Sequence, residues 1–267
     1  VPLFHKARPE EIPWEETGAT IVVEATGRFR KRKLAAGHLA RTSVRAVVVS
    51  ATVPDADATL CYGHNEKGFD PSKDRVLSAA SCTTHCLAAV LAVLETHYGV
   101  ARAFMNTVHC VTNSQNLVDM AHPDLRRARS ALGNLIPTTS DAVPSIGWVF
   151  PRLRDRVVGY AVRVPVVAGS LLDVVVELER DGTLPEVQAA YREASRGSLA
   201  GILAVSEEPL VSSDFIDSPF SATVDLPLLQ ALGSRSLRVV AWYDNEWGYS
   251  NRLAELLAYL GSRLEQN

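Results

Sequence analysis

Ser81-Cys82-Thr83-Thr84-His85-Cys86 follows a short apolar run, Arg75-Val76-Leu77-Ser78, and precedes a segment in which Leu87, Leu91, Leu94 and Tyr98 recur at helical spacing. The pattern predicts a strand, a turn and a helix, with Ser81 as N-cap and Cys82 in the first helical turn. Unpaired backbone N–H groups and the helix dipole favour an anion there, so the expectation is a thiol with lowered pKa. A cysteine at a helix mouth more often merely fills space. A second stretch alters that balance: Thr107-Val108-His109-Cys110-Val111-Thr112 reads as a strand carrying a histidine. A Cys and a His that are distant in sequence and close in the fold make a nucleophile and its base.

The rest of the chain bounds the answer. Its 267 residues suffice for one large or two modest domains, and an apolar fraction of 47% provides a sizeable core. A formal net charge of −3 gives no pull toward nucleic acid or a membrane surface. No apolar run is long enough to span a bilayer, and Val1-Pro2-Leu3-Phe4-His5 does not resemble a signal peptide. The four cysteines, Cys61, Cys82, Cys86 and Cys110, lack zinc spacing, so no metal is expected and reduced cytoplasmic thiols are the simplest reading.

In chain order, a strand is expected at Thr20–Glu24, running into the turn Ala25-Thr26-Gly27. A basic helix, Arg30–Ala35, follows, its charges read as a solvated face. Arg45–Ser50 is a continuous apolar strand of the central parallel type, and Asp55–Ala58 is a loop. Strand and helix alternate up to the Cys82 helix, which indicates a parallel sheet. Beyond it, Ala103–Val111 reads as a strand and Asn113–Arg129 as a polar, basic loop. Val157–Val164, Leu171–Leu178 and Leu237–Tyr243 are β-rich and imply an antiparallel or mixed sheet. Helices are expected at Pro185–Ser195 and at the end of the chain, where Leu253, Leu256, Leu257, Leu260 and Leu264 form one stripe.

Three stretches together resemble the active-site signatures of phosphorylating glyceraldehyde-3-phosphate dehydrogenases: Ser81-Cys82-Thr83-Thr84; Thr107-Val108-His109, its histidine 27 positions after the cysteine; and Trp242-Tyr243-Asp244-Asn245-Glu246-Trp247-Gly248-Tyr249-Ser250. Ala161-Val162-Arg163-Val164-Pro165 and Val211-Ser212-Ser213-Asp214-Phe215 extend the resemblance through nearly the whole chain. It implies an α/β fold: a partial Rossmann-type parallel sheet, then an α+β catalytic domain with a mostly antiparallel or mixed sheet, and a C-terminal helix packing back on the first domain. The implied division is residues 1–81 with helix 250–267 as the remnant of an NAD-binding domain, and residues 82–249 as the catalytic domain. No Gly-x-Gly-x-x-Gly run occurs, so the chain reads as lacking the N-terminal part of that domain, with weak cofactor binding expected.

The resemblance also assigns roles. Cys82 is the nucleophile and His109 the base. Thr112, Ser114 and Arg163 would hold the substrate phosphate, while Ser81, Thr83 and Ser140, with Arg127, would hold the attacking phosphate. Thr26, Gly27 and Ser50 would lie along NAD or NADP; Asn245 would orient the nicotinamide amide beside Tyr249. The implied partners are a sugar phosphate and inorganic phosphate, in a cytoplasmic homotetramer. Three positions depart from the family: His85 stands for the usual Asn, Asp141 for Gly and Pro144 for Lys. His122-Pro123-Asp124-Leu125-Arg126-Arg127 leaves open the sister enzyme acting on erythrose 4-phosphate, although similar runs occur in glyceraldehyde-3-phosphate enzymes. A non-catalytic scaffold that keeps only the catalytic half is the remaining alternative.

Overall fold

A computed structural model describes residues 1–41 and 43–266. They form two compact units, one of residues 1–81 with 253–267 and one of residues 82–252.

In the first unit, strands β1 (Ile21–Glu24), β2 (Ala46–Val49), β3 (Ala58–Thr59) and β4 (Val76–Ser78) form a parallel sheet in the order β1-β2-β4-β3. Every residue of β2 and β4 is buried; β2 is apolar throughout, as expected of a central parallel strand, and in β4 the polar Ser78 is enclosed with Val76 and Leu77. Val22, Val47, Val49, Val53 and Val76 make the core with Ala35 and Val44, and Trp14 and Leu39 pack against it. Two expectations are corrected here. The basic helix is a single turn, α1 (Arg32–Ala35), continued by a 3-10 segment at Ala36–Ala40. Its N-cap, Lys31, gives no side-chain cap, and Gly37 follows within it. Ala58, expected in a loop, pairs with Leu77; the carboxylate of Asp57 next to it receives the backbone N–H groups of Arg75 and Val76 and pins the segment to β4.

The second unit opens with α2 (Cys82–His97), which is buried on all sides from Thr83 through Leu91. One apolar stripe was expected; the polar Thr83, Thr84 and His85 are enclosed as well, since α2 packs on strands and on two further helices. The strands are β5 (Val100–His109), β6 (Ile136–Thr138), β7 (Val157–Arg163), β8 (Ser170–Leu178), β9 (Leu203–Ser206), β10 (Ala222–Asp225), β11 (Gln230–Leu232) and β12 (Ser236–Tyr243). They form a mixed sheet in the order β6-β7-β5-β8-β12-β10-β9, with β11 paired to β12. Pairs β5·β7 and β9·β10 are parallel and the others antiparallel.

The strand expected to run through Thr112 ends at His109, whose Cys110 N–H turns instead to Ser170 Oγ. Along β5, Ala103, Met105, Thr107 and His109 face inward and Phe104 outward, so the two-residue period of the strand aims the imidazole at the interior. Gly159 of β7 lies opposite Met105, and a Cβ there would meet the Met105 carbonyl oxygen at 2.0 Å. Helices α3 (Ala142–Val149) and α4 (Leu184–Arg196) complete the layer; α4 starts on a Thr183/Glu186 capping box with Pro185 in its first turn. The last helix, α5 (Trp247–Glu265), begins in this unit, and its turns from Leu253 belong to the first, where Leu256, Leu260 and Leu264 are buried.

Candidate functional site

Ala80 precedes the Cys82 helix at φ +55, a left-handed conformation for a residue with a Cβ. That conformation costs about 1–2 kcal/mol, and it makes the sharp turn from β4 into α2. Cys82, the first residue of α2, is half-buried, and its Sγ lies 3.5 Å from His109 Nε2. His109 Nδ1 is 2.8 Å from the Cys110 carbonyl oxygen, which can only accept; Nδ1 therefore carries the proton and the Nε2 lone pair faces the thiol. The Cys82 S–H donates to Nε2. The cysteine and histidine of the two motifs therefore meet, both within the second unit.

Electrostatics correct one expectation. Burial pushes the Cys82 thiol above its ordinary value; the Arg163 guanidinium and hydrogen bonds from Thr83 and the first backbone N–H of the helix oppose this and do not overcome it. Burial, aided by Arg163, lowers His109 to about 3, so the imidazole is neutral through the physiological range. The resting pair is thiol and neutral base rather than thiolate and imidazolium. Alkylation of Cys82 by iodoacetamide should therefore accelerate as pH rises through neutrality and on past 9, the ordinary thiol value. A rate that levels off below neutrality would reveal a resting ion pair. Cys82 should still be labelled before Cys61, Cys86 and Cys110: these are fully buried, and their thiols are raised by burial, Cys110 to about 11. Peptide mapping that finds all four labelled equally would remove the assignment.

Around this pair the structure brings some expected residues together. Arg163, at the end of β7, sends Nη1 to the Cys110 carbonyl at 3.3 Å. Thr112 and Ser114 join hydroxyls at 3.0 Å, and Gln115, buried and passed over as a loop residue, closes a ring on both. Gln115 Nε2 donates to Ser114 Oγ at 2.8 Å, and Thr112 N and Oγ1 donate to Gln115 Oε1 at 3.0 and 3.1 Å. The Thr83 hydroxyl, buried, is hydrogen-bonded to Tyr243 Oη at 2.9 Å, and Tyr243 continues to Thr107 Oγ1 at 2.7 Å. Tyr243, within the Trp242–Ser250 motif, thereby joins α2 to β5, and its ring lies edge-on to the His109 imidazole.

Ser140 lines a different opening, and Arg127 is bonded to residues that line it. Arg127 Nε donates to Thr138 Oγ1 at 2.7 Å and pairs with Asp124 at 3.5 Å. Thr138, Thr139, Ser140, Asp141, Asp124 and Arg126 line a cavity of about 910 Å³, whose lining includes neither Cys82 nor His109. Asn245 Oδ1 is 3.0 Å from Cys110 Sγ, and Tyr249 stands edge-on to His85 at 5.7 Å between centroids. The buried Asp244 receives the N–H groups of Glu246, Trp247 and Asp217 and so fixes the turn that presents Asn245.

In the first unit, Thr26 and Gly27 follow the carboxyl end of β1. Thr26 gives its N–H and hydroxyl to Glu24 Oε1, and Gly27 has φ +73 with nothing within 4 Å of a would-be Cβ. Ser50 follows the end of β2 and donates its N–H to the Glu24 carbonyl. Loops at the carboxyl ends of parallel strands are where α/β sheets bind ligands. Glu24 is in turn held by His38 at 3.1 Å, and His38 by Trp14 at 3.2 Å, so the turn has a buried support that sequence reading did not register.

A cysteine and a histidine thus meet on an α/β scaffold, and comparison with known proteins gives the family. Residues 81–245 match the family model described as glyceraldehyde 3-phosphate dehydrogenase, C-terminal domain. The chain is 42% identical over 264 residues to glyceraldehyde-3-phosphate dehydrogenase 2 of Streptomyces avermitilis, covering 99% of this chain and 78% of the relative. It is 46% identical over 255 residues to glyceraldehyde-3-phosphate dehydrogenase of Geobacillus stearothermophilus, covering 96% and 76%. It is 41% identical over 263 residues to glyceraldehyde-3-phosphate dehydrogenase 2 of Bacillus subtilis, covering 98% and 77%. The chain belongs to the glyceraldehyde-3-phosphate dehydrogenase family of oxidoreductases.

Proposed function

We propose that this chain oxidises glyceraldehyde 3-phosphate to 1,3-bisphosphoglycerate, with inorganic phosphate as acyl acceptor, in cytoplasmic carbohydrate metabolism. The observation that carries this reading is Cys82 Sγ at 3.5 Å from an Nε2 whose lone pair is fixed toward it by the Nδ1–Cys110 bond. Residues 1–81 with helix 250–267 act as the cofactor-binding part and residues 82–249 as the catalytic part. Outward-facing apolar side chains support assembly as a homotetramer: Phe104, Val158, Tyr160 and Val175 on the sheet, and Leu117 and Leu125 in the Asn113–Arg129 loop.

Each unit offers residues suited to part of a nicotinamide dinucleotide. In the first, Thr26, the open Gly27 turn and Ser50 follow the carboxyl ends of β1 and β2, where α/β sheets bind ligands. In the second, Asn245 and Tyr249 are the residues the resemblance gives to the nicotinamide end. When bound, NAD or NADP supplies the two-electron acceptor for hydride. Cys82 adds through sulfur to the aldehyde carbon, and its proton passes by way of His109 Nε2 to the carbonyl oxygen, giving a hemithioacetal. As hydride leaves that carbon, Nε2 takes the hydroxyl proton, and a thioester remains on Cys82. Phosphate, received by Ser81, Thr83, Ser140 and Arg127, attacks the thioester carbon and expels the thiolate, which regains the proton from His109. Arg163, with Thr112 and Ser114, holds the substrate phosphate. The hydroxyl protons of Thr112 and Ser114 are committed within the Gln115 ring, so they reorient when phosphate arrives.

At saturating cofactor and without phosphate, glyceraldehyde 3-phosphate should give a burst of one equivalent of reduced nicotinamide per Cys82; added phosphate should restore turnover and Cys82→Ser should abolish both. Erythrose 4-phosphate in the same assay decides between the sister substrates. Absence of reduction with either sugar phosphate would leave a binding role in place of an enzyme. The cofactor must be supplied in excess. The first βαβ unit of a dinucleotide fold provides most pyrophosphate contacts, and these 267 residues contain no Gly-x-Gly-x-x-Gly turn. Calorimetric titration should give a dissociation constant on the order of a millimolar or weaker. Tight, stoichiometric NAD binding by this chain would contradict that expectation.

A further inference from the structure

Cys110 is fully buried and follows His109 directly, and its side chain has no task in the reaction above. It nevertheless touches three of the residues that do. Its carbonyl accepts from His109 Nδ1 at 2.8 Å and from Arg163 Nη1 at 3.3 Å, and its own N–H donates to Ser170 Oγ at 3.3 Å. Its Sγ lies 3.0 Å from Asn245 Oδ1.

A thiol donates a hydrogen bond and accepts poorly. An asparagine amide beside it is therefore stable with its oxygen, not its NH₂ group, against the sulfur. Burial raises the Cys110 thiol to about 11, so the S–H donor persists through neutral pH. With Oδ1 facing Cys110, the two N–H donors of Asn245 are directed away from the sulfur. We infer that Cys110 is a positioning residue: its S–H fixes the Asn245 amide so that it offers N–H donors to an acceptor on the ligand, the carbonyl of a carboxamide. This rests on reading Asn245 as the residue that meets the nicotinamide end of the cofactor.

The test uses the full chain labelled with ¹⁵N-asparagine, the side-chain amide of Asn245 being assigned by its loss in Asn245→Asp. Cys110→Ala should shift the Asn245 amide signals and bring its two protons closer together in shift. Cys110→Ser, which retains a donor, should stay near the parent. NAD titration followed in the same spectra measures millimolar binding directly. Cys110→Ala should weaken it about three- to fivefold, the equivalent of one ordinary hydrogen bond, and Cys110→Ser should restore most of the loss. A merely structural role would move melting temperature without this rescue. Asn245 signals that stay put in Cys110→Ala overturn the positioning role. An Asn245→Ala chain that binds NAD like the parent overturns the reading of Asn245, and with it the assigned ligand.

Discussion

Exchanging His109 for Asn should slow acyl-enzyme formation by about two to four orders of magnitude, the contribution usual for a positioned general base. The substitution separates two functions of one ring. The imidazole donates Nδ1–H to the Cys110 carbonyl and accepts the Cys82 proton at Nε2. An asparagine amide can still donate to that carbonyl, but it has no basic nitrogen to offer the thiol. With the thiol already raised by burial, His109 is the neutral base that meets Cys82 among the described residues, and Arg163 can only stabilise the thiolate after it forms. The measurement is single-turnover nicotinamide reduction at saturating cofactor, with a melting curve to show that the variant is folded. The iodoacetamide rate of Cys82 should fall in parallel, since the same proton acceptor has gone. A variant that keeps acylation within tenfold of the parent would mean that the proton leaves Cys82 by another route.

The elements that were legible in the sequence are those whose signal is local. β2 is short and wholly apolar, and β4 opens on Val76 and Leu77; α4 carries Pro185 in its first turn; β5 reads as a strand that bears His109. Cys82 and His109 themselves were readable because their residue types and spacing sit in distinctive motifs. Apart from the shortened basic helix, whose cause is local, the failures are questions of environment. A helix mouth favours a thiolate, but the enclosure of α2 by strands and helices is a tertiary fact, and desolvation outweighs the local field at Cys82. The Gln115 ring, the Cys110–Asn245 bond and the Trp14–His38–Glu24 support link residues that are ordinary one by one. Asn245 lies 135 positions from Cys110, and nothing in either neighbourhood announces the other. Ala80 in a left-handed conformation is similarly silent, because only the folded connection between β4 and α2 demands it.

Asp141→Gly should lower the apparent KM for phosphate by about an order of magnitude and raise the ratio of acyl phosphate to free acid in the product. Asp141 is exposed at the N-terminal edge of α3, with no side-chain cap bond to that helix, and it lines the same cavity as Thr139 and Ser140. Arg127 is already shared with Asp124 and Thr138, and the cavity lining offers an arriving dianion two carboxylates, Asp124 and Asp141, against the one guanidinium of Arg126. At an effective dielectric near 20, unit charges about 4 Å apart repel by roughly 4 kcal/mol. Exposure and rotation of the Asp141 side chain cut that figure, yet about 1.4 kcal/mol of it is already tenfold in phosphate affinity. When phosphate is held weakly, water competes better for the Cys82 thioester, which is why the product ratio moves with the KM. Glycine at this position would add backbone freedom at φ −67, where any residue is comfortable, so Asp141→Asn serves as the companion: it keeps the shape and removes the charge. Both variants should shift the phosphate dependence in the same direction, and the gap between them and the parent should narrow as salt is added. If parent, Asp141→Gly and Asp141→Asn share one phosphate dependence, the carboxylate does not act on the phosphate, and the cavity beside Ser140 is not where the thioester meets its acceptor.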